Sequence, residues 1–297
     1  MADPRICKRL ARNPAAVIPA VLIIFVVSAC LLGPAFMSSS LGDPGPSQYA
    51  PPTWAHPFGT DLNGRDVFYR VLTGGRVSLL VGLCGAAVSL LIGTGWGLVA
   101  GYAGGRVDSA MMRVVDILYS VPRLIFILIA INAFNAQLQA FASQIGWLWL
   151  VQSSRIAILI ITLGVIEWLT MARIVRGQVL ALKSRQFVTA AQALGQSHTN
   201  ILLKHLLPNL GGIILIYLTL TIPAVIIDES FLSFLGLGIQ APQASWGSLL
   251  ADGASAINPV RSFWWLLVFP AAAMAISLLA LNFIGDAMRD AFDPRSK

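Results

Sequence analysis

Six stretches of this chain stay apolar for as long as a bilayer is thick, at about 15–37, 77–100, 111–133, 155–172, 210–232 and 263–284. A run of roughly 20 apolar residues lets a helix cross the hydrocarbon layer, and within that layer a helix satisfies its own backbone hydrogen bonds. The sequence therefore predicts an all-α polytopic membrane protein. Six transmembrane helices occupy 15–284, a short head covers 1–14 and a tail covers 285–297. Charged residues make up 11% of the chain, where a soluble domain carries about 25%. Val27-Ser28-Ala29-Cys30 has the form of a lipoprotein cleavage site, but the apolar run continues through Leu31, Leu32 and Phe36, so it is read as a span rather than a cleaved signal.

The formal net charge of +7 comes from basic residues scattered between apolar runs, without a dense patch or an aromatic platform, so no nucleic-acid partner is expected. These residues report topology instead. With six spans both ends share a side, and that side holds 14 Lys and Arg against five on the other, namely Arg65, Arg70, Arg76, Arg155 and Arg261. Positive-inside counting places both termini and the segment 173–209 in the cytoplasm. Cys7, Cys30 and Cys84 form no CxxC pair, and His56 has no second ligand at metal spacing. No metal, cofactor or catalytic residue is expected. No GxxxxGK[ST] phosphate loop is present either, so ATP hydrolysis is not expected of this chain.

The segment 173–209 is too polar for lipid and is rooted in the fourth and fifth spans. It carries Arg173, Arg176, Lys183, Arg185 and Lys204. Phe187, Val188, Thr189, Ala190, Ala191, Gln192, Ala193 and Leu194 form a short helix-forming run with one apolar side, and Gly195 ends it by permitting a backbone conformation that other residues resist. A second apolar run, Ile201 to Leu207, is expected to end at Pro208. The product is a helix-turn-helix whose small residues Ala190, Ala191 and Ala193 admit a partner's surface. Composition by itself is also compatible with an amphipathic helix lying at the lipid interface.

Thr189-Ala190-Ala191, Gly195 and then His205-Leu206-Leu207-Pro208 resemble the EAA loop of bacterial ATP-binding-cassette importer permeases, with Thr189 where the family has glutamate. In that family the loop docks on an ATPase subunit. His56-Pro57-Phe58-Gly59-Thr60-Asp61, followed by Gly64-Arg65-Asp66-Val67, resembles the HPFGTDxxGRDV signature of the dipeptide, oligopeptide and nickel branch. From the residues themselves, Asp61, Arg65 and Asp66 between glycines make a charge-paired turn, a structural role.

The turn Gly101 to Asp108 is similar to the family's AGYxGGxxD, and Gly285 to Arg295 to its terminal GDxLRDxLDPR. Glu229-Ser230-Phe231-Leu232-Ser233-Phe234-Leu235-Gly236 and Pro242 to Gly247, with Ser245 and Trp246, resemble ExxLSFLGLG and PPxPSWG. This outer segment is read either as the place where a binding protein docks or as a re-entrant turn that seals the mouth.

The resemblance implies a type I importer permease fold. It also implies one subunit of an importer for peptides or similar solutes, nickel complexes among them, in the inner membrane. The partners it implies are a second homologous permease, two ATP-binding subunits, an extracytoplasmic substrate-binding protein and membrane lipid. An ion-coupled carrier would place acids or bases deep in its spans. A membrane anchor would need neither the Gly-rich spans nor the loop.

Other expectations are local. Arg113 and Asp116, three apart on the third span, neutralise each other, and Pro122 kinks that span. Residues 135–149 form an external amphipathic helix with Trp147 and Trp149 as anchors. Glu167 sits near the inner end of the fourth span in a local ion pair or snorkelling to the interface. Pro223 and Pro270 bend the fifth and sixth spans.

Overall fold

Hydropathy marks the part of a helix that lipid can hold, but backbone hydrogen bonding continues into water until something breaks it. Most spans are accordingly longer than their apolar runs. The computed structural model describes residues 13–257 and 261–292. Among them α1 is Pro14–Phe36, α2 Val67–Ala103, α3 Gly105–Ser120, α4 Arg123–Ile145, α5 Leu148–Lys183, α6 Gln186–Ala193, α8 Trp246–Ser255 and α9 Trp265–Phe292. The rod α7, His198–Phe234, begins with one α-turn, widens into a π-helical stretch at Ile201–Leu206 and continues as Leu207–Phe234. Six of these helices, α1, α2, α4, α5, α7 and α9, are long and apolar enough to cross a membrane. The described residues contain no named strand, only an isolated bridge between Thr60 and Asp66. Most of the head, 1–12, and the tail residues 293–297, with Asp293, Pro294 and Arg295 of the terminal motif, lie outside the described residues.

Three expectations change. The third span is not one kinked helix over 111–133: α3 ends at Ser120 and α4 starts at Arg123, on the far side of Pro122. Proline disfavours an α conformation at the preceding residue, and Val121 is extended, with φ −78° and ψ 128°. The stretch read as an external amphipathic helix is the second half of α4, which a left-handed Gly146 closes. The side chains of Leu148 and Trp149 lie outside the described residues. Finally, the apolar run after Ile201 does not stop at Pro208. That proline sits in the first turn of the Leu207–Phe234 helix, where a missing N–H is tolerated. The wide turn before it is visible in the Leu207 N–H, which donates to the Leu202 carbonyl five residues back.

The chain divides into two compact units. One comprises Cys84–Ile222 with the segment from Gly285 onward, and the other comprises Pro14–Leu83 with Pro223–Ile284. In the first, α2 lies against α5 through small residues. A Cβ added at Gly93 would come 2.6 Å from the Met171 Cβ, and one at Gly97 2.6 Å from the Ala172 carbonyl. Lipid supplies no hydrophobic drive between helices, so close backbone approach of this kind is what holds spans together. The adjoining core gathers Leu98 of α2, Val175 and Val179 of α5, Val188 and Ala191 of α6, and Ile201, Leu206, Leu210 and Ile214 of α7.

In the second unit, Val67 and Val71 pack with Leu249, Trp265 and Leu266, while Trp246 is buried with Cys30 and Leu72. Phe58 stacks on Phe269 with ring centres 3.9 Å apart.

Candidate functional sites

α6 is short because its ends are written in the sequence. Arg185 is extended at its start. At its end Gly195 has φ +72°, its N–H donates to the Gln192 carbonyl, and the Gln196 N–H donates to the Ala191 carbonyl at 3.1 Å. This is the paired closure that a left-handed glycine makes possible.

Val188 and Ala191, three apart on one face, are buried against α5 and α7. Phe187, Thr189, Ala190, Ala193 and Leu194 are exposed, Leu194 at 80%. Of the three alanines read as a landing surface, Ala191 faces inward at 2% exposure, leaving Ala190 and Ala193 on the outer side. His205 is half-buried, and its Nε2 meets Gln196 Oε1 at 2.8 Å. Leu207 is half-buried and Pro208 exposed.

Further side chains brace this corner. The Tyr102 hydroxyl meets His198 Nδ1 at 2.8 Å, and Lys183 Nζ donates to the Tyr102 carbonyl at 2.6 Å. Arg176 grips Asp108 with two hydrogen bonds, Nε to Oδ1 at 2.5 Å and NH2 to Oδ2 at 2.6 Å. That guanidinium holds the Asp108 carboxyl below the usual carboxylate range. Arg173 NH2 donates to Asp116 Oδ1 at 2.7 Å, so Asp116 pairs across helices rather than with Arg113 as its spacing predicts.

The segment containing Gly59, Thr60, Asp61, Gly64, Arg65 and Asp66 is a knot at the start of α2. Asp61 Oδ1 accepts the N–H groups of Asn63 and Arg65 at 2.8 and 2.9 Å, and its Oδ2 accepts Arg70 NH1 at 2.7 Å. Asp66 caps α2 by accepting the Tyr69 N–H at 2.8 Å, and its other oxygen meets His56 Nδ1 at 2.8 Å. Thr60 Oγ1 accepts the Ala50 N–H and donates to the Ser47 carbonyl. The charge partner of Asp61 is thus Arg70, one turn into α2, and not Arg65. Gly59 and Gly64 both stand at φ +73°, where a side chain is strained.

In the segment 229–247, Glu229 is fully buried and accepts from three hydroxyls: Ser78 and Ser230 donate to Oε2 at 2.9 and 3.3 Å, and Ser233 to Oε1 at 2.7 Å. Ser78 Oγ also accepts the Trp246 N–H at 3.2 Å, and Ser233 Oγ accepts that of Ile239 at 2.9 Å. Ser245 caps α8 through a reciprocal pair with Ser248, and the Trp246 indole donates to the Val71 carbonyl at 3.0 Å. Glu229, Ser233, Ser245, Trp246 and Gly247 are therefore interior, while Phe234, Leu235 and Gly236 are exposed. The geometry is that of a short helix, α8, tied to the end of α7 and to α2 around one buried acid.

A family model described as "Binding-protein-dependent transport system inner membrane component" matches residues 93–297. The chain belongs to this family. The permease is 41% identical over 293 residues to the oligopeptide transport system permease protein OppC of Haemophilus influenzae, covering 98% of this chain and 88% of that one. It is 41% identical over 290 residues to the dipeptide transport system permease protein DppC of Bacillus subtilis, covering 97% and 84%. Its fold is similar to a chain in the inward-facing MetNI methionine ABC transporter, with a TM-score of 0.55 at 18% identity, over 76% of this chain and 98% of that chain. The permease is a multi-pass inner-membrane protein with the fold that its motifs imply.

Sequence reasoning missed two pairings in this permease. Asp108 with Arg176 joins residues 68 apart, and only the parallel polar stripes of α3 and α5 hint at it. The Arg123 guanidinium donates to Glu167 Oε1; a charged residue just after a proline break, facing the one acid between Ile156 and Ala172, was the available signal.

Proposed function

We propose that the chain is a permease subunit of an ATP-driven importer for peptides or similarly sized solutes, and that α6 transmits the movement of an ATP-binding subunit to α5 and α7. The observation that carries this is the division of α6 into two faces. Val188 and Ala191 fuse it to the two rods beside it, while Phe187, Ala190 and Leu194 are left outward on a segment too polar for lipid. A push on that outer face reaches the spans as a rigid-body movement.

Thr189 stands on the exposed side, so the departure from the family's glutamate removes one polar contact at the partner's surface and leaves the fold of α6 intact. In this reading both termini and α6 share the cytoplasmic side. The complex contains a second permease, two ATP-binding subunits that hydrolyse the nucleotide, and an external binding protein. Solute class follows from relatives named for oligopeptide and dipeptide transport.

The test separates the two faces. In the reconstituted complex, Leu194→Asp leaves the permease folded but abolishes peptide uptake and retention of the ATP-binding subunit. Ala191→Glu instead unfolds the corner, because it places a charge in a closed core. Full uptake by Leu194→Asp contradicts the proposal.

A further inference from the structure

The permease carries a polar stripe where its apolar composition leaves least room for one. Glu167, Thr170 and Arg173 recur every three residues along α5, and Asp116, Tyr119 and Arg123 face them from α3 and the start of α4. Arg173 reaches Asp116 at 2.7 Å and lies 4.1 Å above the Tyr119 ring; the Tyr119 hydroxyl meets Thr170 Oγ1 at 2.6 Å; and Arg123 pairs with Glu167. The stripe is not interior. The side chain of Arg123 is 51% exposed, and those of Arg173 and Asp116 are exposed as well. Between them a cavity of about 140 Å³ opens against Tyr119, Arg123, Phe126, Glu167 and Thr170.

Depth makes this informative. Glu167 lies five residues before Ala172, about 8 Å inside the apolar stretch of α5. A charge on a lipid-facing surface costs about 3 kcal/mol at the centre of a span and less toward its ends, so an unpaired acid at this depth is still disfavoured. A second, independent observation sits beside it. The chain between α3 and α4 is not helical, and both Val121 and Pro122 are exposed. Broken backbone at this depth is tolerated where it is enclosed by protein or lines a water-filled passage.

Glu167 is the least exposed of the four charges, its side chain at 14%. Burying the stripe under a partner helix would strip water from the three exposed ones, Asp116, Arg123 and Arg173, at several kcal/mol each, whereas an aqueous passage leaves them hydrated. The stripe is also neutral overall, with two acids and two arginines alternating. It therefore suits a solute that bears both signs of charge.

We infer that this face lines the solute passage and that the Arg123–Glu167 pair is its charged contact, Arg123 taking carboxylates and Glu167 taking ammonium groups of a passing peptide. The inference rests on the reading of the chain as a peptide-importer subunit, and its test has one arm that does not.

In the assembled complex in lipid nanodiscs, with Cys7, Cys30 and Cys84 replaced by alanine, Thr170→Cys reacts with a charged, water-soluble thiol reagent. Leu91→Cys, on an exposed apolar face of α2, does not. An unreactive Thr170→Cys overturns the passage whatever the solute. In the second arm, Glu167→Gln lowers uptake of alanyl-lysyl-alanine relative to alanyl-glutamyl-alanine by about tenfold, the ratio for one lost hydrogen bond to a charge, and Arg123→Gln shifts the ratio the other way. Equal losses of both peptides mean a structural ion pair only and overturn the contact. Failure of the unmutated complex to import either peptide overturns the contact together with the assigned solute class, and the labelling result still decides the passage.

Discussion

The phenol of Tyr102, in the last turn of α2, meets Nδ1 of His198, in the first turn of α7, at 2.8 Å, while the Tyr102 carbonyl accepts Lys183 Nζ from the end of α5 at 2.6 Å. One residue thus touches the chain on both sides of α6. Tyr102→Phe removes the hydroxyl, worth about 1 kcal/mol, and keeps the ring. The expected outcome is a higher number of ATP molecules hydrolysed per solute imported, read from parallel hydrolysis and uptake assays on the reconstituted complex. An unchanged ratio removes Tyr102 from the path of force.

Gly195 closes α6 at φ +72°. A β-branched residue there is strained by at least about 1–2 kcal/mol, so Gly195→Val lowers thermal stability and loosens the link between hydrolysis and uptake. Gly195→Asn, which tolerates the left-handed conformation, retains most of both. The paired melting curves and uptake rates of the two variants check this.

Asp108 gives a pH dependence of definite sign. Its folded pKa is held down by Arg176, so the pair contributes stability above the ordinary aspartate pKa of about 3.9 and loses it as pH falls through the lower folded value. Asp108→Asn lowers the melting temperature at pH 7, by a destabilisation of about 1–2 kcal/mol. The gap between wild type and variant narrows as the pH falls below about 4. A gap that is constant down to pH 3 contradicts a paired carboxylate.

Much of this permease was legible because its spans obey one rule. Apolar runs gave the number of spans and the place of five of them, the third lying at Arg123–Ile145 rather than over 111–133, and Gly195 announced the end of α6 through the conformation it permits. The face of α6 was legible only in part: its small side chain reads Ala191, with Ala190 and Ala193, as room for a partner, whereas its spacing of three from Val188 sends it inward.

The rest depended on register between elements. Asp61 has Arg65 nearer in sequence, but the first turn of α2 brings Arg70 to its second oxygen. Asp116 has Arg113 on its own face, yet α5 offers Arg173 at 2.7 Å. Glu167, expected in a local ion pair or snorkelling near the inner end of its span, does pair, but its partner Arg123 comes from beyond the Pro122 break, where spacing within α5 gives no sign of it. The α5 helix runs on past Ala172 to Lys183 because nothing between them breaks it.

The outer surface of α6 as the landing site of an ATP-binding subunit is tested most directly by a photoreactive residue at Leu194 in the assembled complex. The account predicts a covalent product between this chain and the ATP-binding subunit, and none with that subunit from the same probe at exposed Trp54 in the loop before α2. A probe at Leu194 that joins only lipid or the external binding protein would contradict it.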